Sequence, residues 1–80
     1  MTPVIRFKRF DVRPVLAAGV EPYPEIRKRL DALKPAEGLT LIAPFLPAPL
    51  IEKLASEGYK SKVERAGAGT WIARFWREEN

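Results

Sequence analysis

The chain has 80 residues, 46% of them hydrophobic and 30% charged, which is the composition of one small globular domain over residues 1–80. It contains no cysteine and no histidine, which excludes disulfides, thiolate chemistry, zinc-finger ligation and any catalytic pair built on these residues. The net charge of +4 suits nucleic acid, anionic lipid or an acidic protein as partner, and equally a simple need for solubility.

Targeting signals are not visible in the sequence. The longest early apolar run, Val15 to Val20, is too short for a signal peptide or a membrane span. We therefore expect a cytoplasmic protein with no membrane contact. A chain of this size with no cross-link has a thin stability margin, so a homodimer is a further expectation.

The first half of the chain predicts a strand, a loop and a helix. Residues 4–12 alternate apolar and basic side chains as a strand does, and a shift near Lys8 and Arg9 predicts a bulge. Residues 13–20 are predicted to be a loop. Pro22 suits the first turn of a helix that ends at Pro35 and Gly38. Apolar residues recur at helical spacing along one side of this helix and form its inner face. That inner face is Tyr23, Ile26, Leu30 and Leu33.

The second half predicts a buried strand, a helix and a hairpin. Residues 39–43 are an apolar run typical of a buried strand, and Pro49 suits the start of a helix over residues 50–57. Residues 59–65 and 70–77 flank a turn at Gly67-Ala68-Gly69, as the strands of a hairpin do. This turn is not a phosphate-binding loop, because no helix and no lysine follow it.

The element order is thus β-α-β-α-β-β. The right-handed crossover rule places both helices on one face of a mixed four-stranded sheet. We expect an α+β two-layer sandwich with two helices on one face of the sheet and the other face uncovered.

This order and three short segments resemble the TusA/SirA-like sulfur-carrier superfamily. The segments are Asp11-Val12-Arg13 after the first strand, Glu21-Pro22-Tyr23-Pro24 at the helix start, and residues 30–41 leading into the second strand. The resemblance covers nearly the whole chain, from Phe7 to Arg77. Members of that family show Asp-x-Arg and then Cys-Pro-x-Pro, and their cysteine carries the persulfide.

Here Glu21 occupies the position of that cysteine, and the preceding loop is longer by about four residues. A carboxylate does not hold sulfane sulfur, so the chain resembles a cysteine-less branch of unknown function. The resemblance implies a retained docking site for a protein partner such as a redox or sulfur-metabolism enzyme. The residues concerned are Glu21, Pro22, Tyr23, Pro24 and Arg13. The alternative is a plain helix start, with Tyr23 packed inward.

The uncovered sheet face is the second candidate site. If Trp71, Ala73 and Phe75 point toward the helices, the alternate residues of the last strand point away. The face is predicted to contain Arg6, Lys8, Lys60, Lys62, Ile72, Arg74 and Trp76, with Glu64 among them. It suits a protein or dimer interface, a nucleic-acid surface built on Lys60, Lys62, Arg74 and Trp76, or a merely solvated face.

Two further features complete the expectations. The loop from Pro44 to Pro49 places Phe45 and Leu46 between prolines, as a recognition loop or as a rigid cap over the core. Asp11 and Arg13 are expected to form a structural ion pair.

Acid–base pairs and carboxylate clusters are not apparent, so we expect no metal, no cofactor and a non-catalytic accessory or protein-binding domain. The alternatives are a nucleic-acid-binding module and an enzyme of unrecognised type.

Overall fold

A computed structural model describes residues 4–77, which form four strands and three helices. In chain order they are β1 (Arg6–Asp11), α1 (Arg13–Ala17), α2 (Tyr23–Asp31), β2 (Glu37–Ala43), α3 (Ala48–Ser56), β3 (Lys60–Arg65) and β4 (Trp71–Trp76). The sheet order is β1-β2-β4-β3, with β1 parallel to β2 and the other pairs antiparallel. The predicted α+β fold with a mixed four-stranded sheet is confirmed.

One hydrophobic core joins the helices to a single face of the sheet. Ile26 and Leu30 of α2 and Leu54 of α3 are buried in one cluster with side chains from the strands. The strand members of that cluster are Phe10, Leu39, Leu41, Ala43, Ala73 and Phe75. Leu54 and Phe75 are completely inaccessible to solvent. All three helices contact this one core, α1 through Val15 and Leu16, so none of them lies on the opposite face of the sheet.

Helix α1 lies where a loop was predicted, and that prediction was wrong. Pro14 occupies its first turn, where the missing N–H costs no hydrogen bond, and the Asp11 carboxylate accepts the backbone N–H of Arg13 at 3.0 Å. Val15 and Leu16 then pack partly buried against the core. The two side chains explain why this short segment is helical rather than extended.

Strand β1 is regular, so the predicted bulge near Lys8 and Arg9 was wrong. Its six residues pair without interruption with Glu37 to Ile42 of β2. The shift in the apolar pattern arises because both faces of β1 carry a phenylalanine. Phe10 is buried in the core, whereas Phe7 lies on the opposite face and is 38% exposed.

The predicted hairpin is confirmed, since β3 and β4 pair antiparallel around a turn in which Gly67 and Gly69 have positive φ. Strand β2 begins at Glu37 and α3 at Ala48, both two residues earlier than predicted. In residues 4–77 no helix is long and apolar enough to cross a membrane.

Candidate binding sites

A cleft of about 300 Å³ lies where β2 ends and α2 begins. We call it the helix cleft. Its deepest residues belong to the core: Val12, Ile26, Leu41 and Ala43 are each less than 5% exposed. Its sides are Pro22 and Tyr23 at the start of α2, and Phe45, Pro47, Pro49 and Leu50 before and within α3. The volume is at the lower end of the range of ligand pockets, enough for one or two side chains.

Two opposite charges border the helix cleft. Glu21 is exposed, and its Oε1 accepts the backbone N–H of Tyr23 at 3.1 Å, which satisfies one of the free N–H groups at the start of α2. Lys53 of α3 is exposed as well, and its Nζ lies 5.2 Å from the centre of the Tyr23 ring. The cleft is therefore apolar inside, with a carboxylate and an ammonium at its margin.

The structure brings together two segments that sequence reasoning had treated separately. Glu21, Pro22 and Tyr23 of the predicted docking motif line the helix cleft, and so do Phe45 and Pro47 of the proline-rich loop. Phe45 is 49% exposed although it is a large apolar side chain. This loop therefore forms one side of the cavity.

The other two residues of the predicted docking motif lie outside the lining of the helix cleft. Pro24 is exposed in the first turn of α2. Arg13 forms the expected ion pair with Asp11, donating from Nε to Oδ1 at 2.9 Å and from Nη2 to Oδ2 at 2.7 Å. These hydrogen bonds lower the pKa of Asp11 from 3.8 to about 2, with burial opposing the shift. Arg13 thus holds the turn between β1 and α1.

The face of the sheet without helices forms the second surface, which we call the open face. Paired residues of neighbouring strands point to the same side, so the strand register arranges this face in three rows across the sheet. The rows are Phe7, Gly38, Trp76 and Lys60; then Arg9, Thr40, Arg74 and Lys62; then Asp11, Ile42, Ile72 and Glu64. The first is aromatic, the second cationic, and the third apolar with acidic ends.

The aromatic row depends on a glycine. The rings of Phe7 and Trp76 meet edge to face with centroids 6.0 Å apart, although their strands are separated by β2. Gly38 lies between them, and a Cβ there would be 2.6 Å from Cε1 of Phe7. Phe7 therefore occupies the space above position 38 that any other side chain would fill.

The cations in and beside the cationic row are of two kinds, those that form an ion pair and those that do not. Arg74 donates a hydrogen bond to the Glu64 carboxylate, which lowers the pKa of that carboxyl and leaves the pair neutral. Arg9, Lys60 and Lys62 are exposed and form no ion pair within residues 4–77. Asp11 is neutralised by Arg13, so the described part of the open face keeps an excess of positive charge.

Most of the predicted open face is placed as expected, but its β1 members were wrong. Lys60, Lys62, Ile72, Arg74 and Trp76 lie on the open face together with Glu64.

Arg6 and Lys8 lie on the helix side of β1, because they share the side of the buried Phe10. Lys8 pairs there with Glu37 at 3.7 Å. Sequence reasoning missed that Phe7 and Arg9 lie on the open face. The signal available for Phe7 was Gly38, whose lack of a side chain leaves room for the ring.

The two surfaces offer means of recognition. In the part of the chain that the structure describes, no three acidic side chains gather as a metal site would require. Hydrogen bonds from arginines also lower the pKa values of Asp31 and Glu64, which makes these carboxylates weak bases. What the surfaces do present is accessible apolar and aromatic area beside charges.

Comparison with known proteins places the chain in a family. A family profile described as "Uncharacterized conserved protein (DUF2249)" matches residues 9–77, which include the helix cleft and all of the open face except Phe7. Neither the curated proteins nor the solved structures give a match.

Proposed function

The chain belongs to the DUF2249 family, and we propose that it is a non-catalytic accessory domain that binds a protein partner in the helix cleft. The helix cleft is the observation that supports this proposal. It is an apolar cavity that opens to solvent beside the half-exposed ring of Phe45. An exposed apolar concavity is typical of a surface that another molecule covers.

The occupant that fits is a short extended segment of the partner with one apolar side chain. That side chain would enter the cleft, whose prolines 22, 47 and 49 make stiff walls. Rigid walls lower the entropy lost on binding. Glu21 favours a basic residue on one side of the segment, and Lys53 favours an acidic residue on the other.

The resemblance to TusA/SirA-like sulfur carriers supports a partner from sulfur or redox metabolism. The position that resembles their persulfide cysteine is Glu21, at the margin of the cleft. Because a glutamate does not carry sulfane sulfur, we propose that the chain keeps the docking surface without the cargo. A cytoplasmic setting belongs to this proposal, and a homodimer in which a second copy fills the cleft is its alternative.

Phe45→Ala and Leu46→Ala form a matched pair for the test. Both side chains are large, apolar and exposed, at 49% and 43%, but only Phe45 lines the helix cleft. Each variant and the wild type would be used for quantitative affinity capture from the host lysate. The captured protein would then be purified and titrated by calorimetry, and the oligomeric state measured by light scattering.

We expect Phe45→Ala to weaken binding of one discrete partner by about 10-fold or more, as removal of an aromatic anchor does, while Leu46→Ala binds like the wild type. Glu21→Gln keeps an oxygen acceptor for the Tyr23 N–H but removes the charge, so it would weaken binding with the fold intact. Equal capture by Phe45→Ala and Leu46→Ala would contradict the proposal. Dimerisation lost only in Phe45→Ala would identify a second copy as the occupant.

A further inference from the structure

We propose that the open face binds single-stranded nucleic acid, independently of the helix cleft. The first argument is charge. Arg9 and Lys62 lie at opposite edges of the sheet in one row, and Lys60 borders that row. All three are exposed and form no ion pair within residues 4–77, so their charges are available to a polyanion.

The second argument is the aromatic row beside the cationic row. Successive residues on one face of a strand are about 7 Å apart, so Trp76 and Phe7 lie one such step from Arg74 and Arg9. A chain of phosphates following the cations would hold its bases over the aromatic row. Bases stack on aromatic side chains without regard to sequence, so binding would show little sequence preference.

The size of the surface sets the length of the bound tract. Four strands are about 14 Å across from the first to the last, at about 4.8 Å between neighbours. The cationic row therefore accommodates a few nucleotides. An acidic protein would satisfy the cations as well, but it gives no reason for an accessible aromatic pair kept in place by a glycine. A nucleotide uses both rows, because its phosphate binds the cations and its base stacks on an aromatic ring.

The experiment measures binding of fluorescein-labelled oligothymidine and oligouridine of about 15 nucleotides by anisotropy, between about 50 and about 200 mM salt. Heparin and an acidic polyglutamate peptide serve as polyanions without bases. Arg9→Gln and Arg6→Gln are matched variants. Both remove one charge from the same strand, but Arg9 lies on the open face and Arg6 on the helix side. Phe45→Ala shows whether the helix cleft is involved.

With contacts from Arg9, Lys60 and Lys62, the logarithm of affinity should fall with the logarithm of salt at a slope of about −2. Arg9→Gln should reduce that slope by about 0.7 and Arg6→Gln should leave it unchanged. Trp76→Leu should weaken binding by about 5-fold or more, as loss of a stacked base does. Phe45→Ala should bind like the wild type, so this result is separate from the test of the helix cleft.

Tryptophan fluorescence gives a readout that does not depend on stability. The chain has two tryptophans, and Trp71 lies on the helix side of β4. Trp71→Phe therefore leaves Trp76 as the single tryptophan, and a bound oligonucleotide should quench its fluorescence. The inference is overturned if no oligonucleotide binds at about 50 mM salt. It is also overturned if Arg9→Gln and Arg6→Gln behave alike, or if heparin or polyglutamate binds as tightly and Trp76 shows no quenching.

Discussion

Replacing Gly38 with alanine tests the packing of the open face directly. The added Cβ would lie 2.6 Å from Cε1 of Phe7 and 2.7 Å from the backbone oxygen of Phe75. Phe7 can rotate away, because it is on an edge strand and 38% exposed. The Phe75 oxygen belongs to β4, between two paired strands, and has little freedom to move. Part of the clash therefore remains after any relaxation.

The expected change in the free energy of unfolding follows from two opposing effects. Overpacking by a methyl group in a tight site costs about 1–3 kcal/mol. Alanine also restricts the unfolded chain and so regains about 0.5–1 kcal/mol relative to glycine within a strand. Taken at their midpoints, the two effects leave a net loss of about 1 kcal/mol, which lowers the Tm of a domain of this size by about 4–8 °C.

Thermal denaturation followed by circular dichroism would measure the loss, and a double-mutant cycle would locate it. The steric conflict with the Phe7 ring is absent in Phe7→Ala, so adding Gly38→Ala to that variant should cost less than adding it to the wild type. The reasoning is refuted if Gly38→Ala is as stable as the wild type. Coupling above about 0.5 kcal/mol between the two substitutions would assign part of the loss to the Phe7 ring, and additivity would assign it to the Phe75 oxygen.

Three further predictions concern acid stability, backbone strain and the core. Because the ion pair with Arg13 lowers the pKa of Asp11 to about 2, its stabilisation is complete above about pH 4 and is lost as pH falls toward 2. Asp11→Asn should lower the free energy of unfolding at neutral pH by less than about 1 kcal/mol, since the pair is partly exposed. It should also reduce the loss of Tm on acidification. A dependence of Tm on pH equal to that of the wild type would contradict this. Ala36 has φ +66°, so Ala36→Gly should raise the free energy of unfolding by about 0.5–1 kcal/mol in urea denaturation, and a decrease would show that the left-handed turn is not strained. Leu54→Ala opens a cavity at a side chain with no exposure and should lower the free energy of unfolding by about 2–5 kcal/mol in the same assay. Glu52→Ala, on the exposed side of α3, is the near-neutral control. Comparable losses in both variants would contradict the assigned core.

The sequence predicted the hairpin surface well because its register is set locally. Strands β3 and β4 are joined by a short glycine turn, and alternation along β4 then decides that Trp76 and Arg74 point away from the helices. Strand β1 has no such local constraint, and its two phenylalanines satisfy either face. Its orientation is decided by parallel pairing with β2, which is distant in the chain.

The helix cleft, too, depends on contacts between segments that are distant in the chain. Tyr23 and Phe45 are far apart in sequence, and they meet only because β2 returns the chain to the start of α2. Each segment was visible as a proline-rich motif, but their meeting required the tertiary fold. Helix α1 was more accessible to prediction, because an aspartate two residues before Arg13 and a proline in the first turn are both signs of a helix start.

The placement of charge along the sheet has a consequence for self-association. Strands β1 and β3 are the two edges, and both are rich in cations: Arg6, Lys8 and Arg9 on one, Lys60, Lys62 and Arg65 on the other. When two copies approach edge to edge, like charges meet whichever edges are used. The electrostatic repulsion opposes the addition of strand to strand that begins fibril growth. A homodimer of this chain would therefore form through faces or loops rather than through its edge strands.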